Sequence, residues 1–260
     1  MQPQRVSPTR APHPVCPPPL CPTRAAPPAA VIATLLDELG DEGAAAITAM
    51  DPRPLSTASI AQVHAARLAD GRKVVIKFQH REIGRVMRQD MAQATVLGRV
   101  LAFFEPDFDF TSLIQEANGE HEKELDFRIE GANLAEIGAN LQRSRVVAEV
   151  PTPIPGLVKE RLLVMTFSEG MSLKSRAELL SAGIDLQLLV ARVCEAWARQ
   201  MFTDGTFNAD PHAGNLLVRL DTRVGPLPVL LDFGLCKRLS PEATLGFCKL
   251  IHALSEQARM

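Results

Sequence analysis

Asn208-Ala209-Asp210-Pro211-His212-Ala213-Gly214-Asn215, followed downstream by Leu230-Leu231-Asp232-Phe233-Gly234, decides how this chain reads. Asp210 and Asn215 stand in an Asp-x-x-x-x-Asn spacing, and Asp232 ends a short apolar run. Together they supply a carboxylate that can act as a base and two further oxygen-bearing side chains suited to magnesium and nucleotide phosphates. An Asp-Phe-Gly on its own would carry little. Joined in this order to Asp-x-x-x-x-Asn, it points to phosphoryl-transfer chemistry.

Working upstream, Lys73-Val74-Val75-Ile76-Lys77-Phe78-Gln79 and residues 59–68 are two β-rich runs flanking Ala69-Asp70-Gly71-Arg72, which predicts a tight hairpin. Alternation along the second strand lets Lys77 face a cleft while its neighbours pack in a core, where its ammonium could neutralise phosphate. Such a lysine needs an acidic partner. The stretch from Glu116 to Glu130 offers several: Asp126 and Glu130 share one helical face, Glu120 and Glu124 another, and periodicity does not choose among them.

The rest of the chain fits around these points. Val31, Leu35, Leu36 and Leu39 predict a helix stopped by Gly40, and residues 51–55 read as a linker. Residues 82–104 and 111–141 read as helices, 151–156 as a proline-rich break, 161–166 as a buried strand, and Glu169-Gly170 as a turn. A helix over 186–203, with Val190, Val193, Trp197 and Met201 as its core stripe, precedes two short strands at 216–220 and 229–231. Ser240-Pro241 starts a last helix over 241–254. The expectation is an α+β, bilobal, protein-kinase-like fold, with a small sheet-bearing N-lobe over residues 31–164 and a hinge plus helical C-lobe over 165–260.

Composition excludes other classes. The 260 residues carry a net charge of −2, no Tyr and one Trp, so neither a basic field nor stacking platforms favour nucleic acid. The five cysteines are odd in number and scattered, unlike a secreted disulfide framework. Cys16 and Cys21 have no neighbouring Cys/His pair to complete a zinc site. No run approaches the roughly 18–20 apolar residues of a membrane-spanning helix. Residues 1–30 hold ten of the twenty prolines, three Arg and no acidic residue, which predicts an unfolded segment, either a tail or an organellar transit peptide.

A glycine-rich phosphate loop is absent. Its place holds Ser56-Thr57-Ala58-Ser59-Ile60-Ala61-Gln62-Val63-His64, and here the chain resembles the UbiB/ADCK, or aarF-domain, family of atypical kinases. That family's alanine-rich loop is similar to residues 57–64. Its strand lysine is matched by Lys77, its Glu-x-Asp element by Glu124-Leu125-Asp126, its helix glutamate by Glu130, and its catalytic loop by residues 208–215 ahead of Asp232-Phe233-Gly234. The match runs over roughly residues 50–240.

The resemblance implies ATP and Mg2+ as cofactors. Lys77 would hold the α/β-phosphates and pair with Glu130, Asp210 would be the base, and Asn215 and Asp232 would be metal ligands. Ala58, Ser59, Ile60 and Ala61 would lie against the phosphates, Met165 and Phe167 against adenine at a hinge over 165–169, and Glu124 and Asp126 at the cleft. It further implies ATPase or phosphotransferase activity tied to ubiquinone and isoprenoid lipids, contact with such a lipid or a membrane surface, and a mitochondrial or plastid location in a eukaryote. Outside eukaryotes the counterpart is cytoplasmic or peripheral to a membrane.

Three positions depart from the family. Its Lys-x-Gly-Gln lid has no match in residues 1–55, which leaves Glu124 and Asp126 without their usual partner. Only 26 residues follow Gly234, which implies a truncated C-lobe, and Asn208 stands where His is common. A catalytically inactive nucleotide- or lipid-binding regulator is therefore the competing expectation. A small-molecule kinase of the choline or aminoglycoside type shares Asp-x-x-x-x-Asn, but residues 58–64 argue against it. His64 and His212 are expected to be structural hydrogen-bonders, and Cys236 a small buried residue.

Overall fold

The computed structural model describes residues 28–104 and 110–257; the readings of Cys16, Cys21 and most of the proline-rich segment fall outside them. The chain is built on a six-stranded antiparallel sheet of β1 (Ile47–Met50), β2 (Ser56–Thr57), β3 (Ala61–Leu68), β4 (Lys73–Gln79), β5 (Pro153–Val158) and β6 (Leu162–Thr166). The spatial order is β1-β3-β4-β6-β5, with β2 added against β3. The expected hairpin is present: Gly71 takes φ +86°, and Asp70 accepts a hydrogen bond from the Arg72 amide. Lys77 lies opposite Val63 on one side and Leu163 on the other.

Central strand β4 is buried on both faces, and its period of two sorts the side chains. Val74, Ile76 and Phe78 join Leu162, Val164 and the Val31 and Leu35 side chains of α1 (Pro28–Ala45) in an outer core. Val75 faces the opposite way, toward Phe127, Leu134, Ile137 and Leu141 of α4 (Phe127–Arg143). This inner core continues through Met165 into Ala196, Leu216, Leu230 and Phe233, so a single apolar cluster joins the sheet to the helical part.

The helical part holds α5 (Arg176–Ser181), α6 (Leu186–Arg199) and α7 (Pro241–Gln257), the last capped by Ser240 through the Ala243 amide. A small sheet orders β10 (Gly225–Leu230), β9 (Leu216–Asp221) and β7 (Met171–Ser172). A second pair joins β11 (Cys236–Arg238) to β8 (Thr206–Asn208). Glu149 fastens the two parts: its backbone bonds Pro228 and Leu230, and its carboxylate meets Ser168 and Arg219. None of the described helices is long and apolar enough to cross a membrane.

Five expectations are corrected. Helix α1 begins at Pro28, inside the segment expected to be unfolded; its first stretch stops at Gly40 as expected (φ 66°, ψ −178°), and a second short helical stretch runs on to Ala45. The single helix expected over 111–141 is two, α3 (Phe110–Glu124) and α4, because Asp126 leaves the helical region (φ −116°, ψ 97°) and caps α4 through the Arg128 amide. The proline-rich break overlaps the start of β5, which tolerates Pro153 and Pro155 because it is an edge strand. The helix expected to 203 ends at Arg199 and passes into a π-turn over Gln200–Asp204, stopped by Gly205 at φ 71°. Val190 is 59% exposed, whereas Val193 and Trp197 pack against the inner core. Helix α2 (Ile83–Phe104) completes the chain, packing its buried Gly98 against Ile114 of α3.

Leu134 is fully buried where α4 meets the sheet. Leu134→Ala is expected to lower unfolding free energy by about 2–5 kcal/mol, read from urea denaturation.

Candidate functional site

Strand β4 brings Lys77 to the inner face with 8% exposure, and α4 presents Glu130, 3% exposed, across from it. The Lys77 ammonium lies 2.8 Å from both Glu130 oxygens and 3.1 Å from Asp232 Oδ2, with the Phe127 ring centroid 5.2 Å away. The partner that periodicity left open is therefore Glu130. The Asp232 side chain is 40% exposed and closes the triad on its open side.

Burial opposes the charge on Lys77, but Glu130 and Asp232 outweigh it and hold the ammonium above its ordinary range. Burial also pushes Glu130 up, with Lys77 as its counterweight. For Asp232, burial is overcome by Lys77 and the Gly234 amide, and the carboxyl sits below its usual value. Asp232 thus stays charged through the usual carboxylate range, and its stabilising link to Lys77 is lost only as pH falls through that depressed value.

Helix α4 holds the Asp-Phe-Gly segment at further points. Asn133 Nδ2 donates to the Phe233 carbonyl at 3.1 Å, and the Phe233 ring is fully buried. Beyond the motif, Arg238 forks onto Glu136 and also donates to Thr206. The Cys236 thiol lies against the Phe233 carbonyl and is half-buried, not buried as expected; desolvation pushes it up to about 12, which fits an unreactive thiol.

The loop bearing Asp210 is set by Asn208, which is 3% exposed. Its amide nitrogen donates to the Asp232 carbonyl at 2.7 Å, and its side-chain oxygen accepts from the Asp210 amide at 2.8 Å. Its backbone is held in turn by Gln200 at 3.1 Å and Trp197 Nε1 at 2.9 Å. Gln200 reaches this position from the π-turn, a helix irregularity often found at functional sites. Asn215 Nδ2 donates to Asp210 Oδ2 at 3.1 Å, which leaves the Asn215 amide oxygen for another partner. The Leu231 amide bonds the Asn215 carbonyl, seating the loop beside Asp232.

The donors available to a cation are the oxygens of Asn215 and Asp232, which fit a hard ion such as magnesium. Among the described residues no group of three or more His, Cys, Asp and Glu side chains could hold a metal, so phosphate and water would complete such a shell. Ala58 to Ala61 form a tight turn closed by the Ala58 amide on the Ala61 carbonyl at 2.8 Å, with His80 bonded to Ala58 and Ile60. The Ser59 and Ile60 amides take no part in that closing bond. Met165 and Phe167 sit at the inner core between the two parts, and the Phe167 amide is taken by the Lys73 carbonyl at 3.2 Å.

Not every expected residue gathers here. Asp126 is used as the α4 cap and in an ion pair with Arg128 at 2.7 Å, so it does not share a helical face with Glu130. Glu124 ends α3, and the Glu120 side chain lies outside the described residues. His64 is buried, with Nδ1 2.8 Å from the Asp51 carbonyl, and is structural; His212 Nδ1 accepts from the Gly214 amide at 3.1 Å. Asn133 and Gln200 escaped the sequence reading. Their signal was a polar residue on an otherwise apolar helix face.

This geometry agrees with the kinship of the chain, whose residues 23–259 match the ABC1 atypical kinase-like domain. The chain belongs to the ABC1 family. AarF domain-containing protein kinase 1 of Mus musculus is 36% identical over 219 residues, 84% of this chain and 42% of the mouse protein. The probable protein kinase UbiB of Marinobacter nauticus is 30% identical over 201 residues, 74% of this chain and 35% of its own length. The chain thus spans less than half of these ABC1 relatives. In fold it is similar to Rv3197 of Mycobacterium tuberculosis, solved with erythromycin, at TM-score 0.66 and 24% identity over 82% of this chain and 53% of that one.

Removing one member of the buried pair strands the other. Lys77→Met is expected to cost about 3–5 kcal/mol by leaving Glu130 unpaired, and Lys77→Met with Glu130→Leu to recover most of it in a double-mutant cycle. Additive losses would show that the pair is not coupled.

Proposed function

We propose that the protein binds ATP with magnesium and either hydrolyses it or transfers its γ-phosphoryl group. The observation that carries this reading is the Lys77–Glu130–Asp232 triad set beside the Asp210–Asn215 loop. In it, residues 31–164 cap the nucleotide and residues 165–260 supply the hinge and the catalytic loop. Lys77, kept charged and aimed by Glu130, holds the α/β-phosphates. Magnesium on Asn215 and Asp232 would neutralise charge on the phosphates. The Ser59 and Ile60 amides can donate to phosphate, while Met165 and Phe167 border the adenine. Asp210 takes the proton from a water or hydroxyl as its oxygen bonds the γ-phosphorus; the bond to the β,γ-bridging oxygen breaks, and ADP leaves with that electron pair.

A link to ubiquinone and isoprenoid lipids, with contact to such a lipid or a membrane surface, is what the aarF-domain resemblance of the motifs implies. On the same footing we place the protein in a mitochondrion or plastid if its source is eukaryotic. The second reading, a nucleotide- or lipid-binding regulator without turnover, is favoured by Asp126, which serves as a helix cap with Arg128 instead of acting in the cleft.

Three measurements test these readings. Asp232→Ala is expected to abolish magnesium-dependent ATP binding and phosphate release; unchanged turnover would remove Asp232 from the site. Asp210→Asn is expected to cut turnover by about 10²–10⁴-fold while ATP affinity holds. Thermal stabilisation by ATP with no phosphate release from the unaltered protein would select the regulator.

A further inference from the structure

One cation beside the catalytic loop has no task in the scheme above. Lys174 follows β7, which pairs antiparallel with β9 in the register Met171↔Val218 and Ser172↔Leu217. The Leu173 amide then bonds the Leu216 carbonyl at 3.2 Å, so the next residue, Lys174, comes opposite Asn215. Its side chain turns over the loop: a Cβ placed on Gly214 would stand 2.9 Å from Lys174 Nζ and 2.8 Å from His212 Nδ1. Both nitrogens therefore converge on one point of the backbone, and glycine at 214 is what leaves them room. Gly214 has an ordinary negative φ, so this requirement comes from crowding and not from backbone conformation.

Lys174 is exposed and forms no ion pair among the described residues, although it lies in a chain with 30 acidic residues. One oxygen of the Asp210 carboxylate is engaged by the Asn215 amide, and Lys174 is bonded locally through its backbone, its amide to Ser172 Oγ and its carbonyl to the Arg176 amide. Because His212 Nδ1 accepts from the Gly214 amide, the neutral ring carries its proton on Nε2, which is free to donate. The Lys174 ammonium thus stands over the turn between Asp210 and Asn215 on the Nδ1 edge of the His212 ring, which leaves the Nε2 donor on the ring's other edge. Flexible ammonium groups of this kind bind phosphate as point charges.

We propose that Lys174 and His212 form an oxyanion subsite that holds a phosphate group beside Asp210, either the terminal phosphate of ATP or a phosphate carried by the acceptor. The inference rests on nucleotide binding as read above and adds a specificity-determining residue to it. A second cation, over Gly214, would let Lys77 retain the α/β-phosphates while Lys174 aligns the group beyond them. Gly214 then acts as a spacer, since any side chain there would push the ammonium and the imidazole off the shared point.

Calorimetric titration of the full chain with Mg·ATP, Mg·ADP, and inorganic phosphate added to the Mg·ADP complex tests this. In Lys174→Met, an ATP affinity at least tenfold weaker with ADP affinity unchanged assigns the subsite to the nucleotide's terminal phosphate. Unchanged affinity for both nucleotides, with phosphate binding to the Mg·ADP complex at least tenfold weaker, assigns it to the acceptor. In either case Lys174→Arg should restore most of the loss, and Gly214→Ala should reproduce part of it without lowering the melting temperature. Equal weakening of ATP and ADP, or no change in any titration, overturns the subsite. Failure of the unaltered protein to bind Mg·ADP overturns the nucleotide reading itself, and the subsite with it.

Discussion

A lysine ammonium buried between two carboxylates is the constraint from which the rest of this structure follows. Taking Lys77 out of water is costly unless its charge is matched closely, and Glu130 matches it from a different element 53 residues away in sequence. That requirement sets the seat of α4 against the sheet. The helix must bring a fully buried carboxylate to the inner face of β4, and Leu134, Ile137 and Leu141 anchor it there. Asp232 supplies the third charge from the far side, which ties the small sheet of β9 and β10 to the same point. The apolar cluster running from Val75 to Phe233 and the polar triad are two sides of one junction.

Much of this was legible in the chain, and the limits have physical causes. Lys77 could be read because a strand has period two, so a lone cation among Val75, Ile76 and Phe78 must face something. Glu130 could not be singled out. Helical spacing tells which carboxylates share a face, but not which face meets a strand folded against it. The same blindness misread Asp126. Its short carboxylate bonding the Arg128 amide ends one helix and starts another, and a periodicity count passes straight over that local competition.

Proline misled in the other direction. Pro153 and Pro155 looked like a break because proline cannot join a central ladder, yet β5 sits at the sheet edge where that deficit is harmless. Asn133 and Gln200 were passed over for a different reason: a polar residue on an apolar helix face marks a buried partner, but each serves the backbone of another segment, and local pattern does not say which. The motif positions Asp210, Asn215 and Asp232 were plain because their chemistry needs them in a set order. The supports that hold them became visible only through the fold.

Asn208 has a consequence for how this chain can vary. With its amide nitrogen on the Asp232 carbonyl and its side-chain oxygen on the Asp210 amide, it makes the two motif segments a single mechanical body. A strain entering through α4 at Phe233 must reach Asp210, and a shift of the π-turn under Gln200 must reach Asp232. Neither segment can drift alone through neutral substitutions. A replacement at position 208 has to offer one donor and one acceptor at the same reach, or both segments must change together.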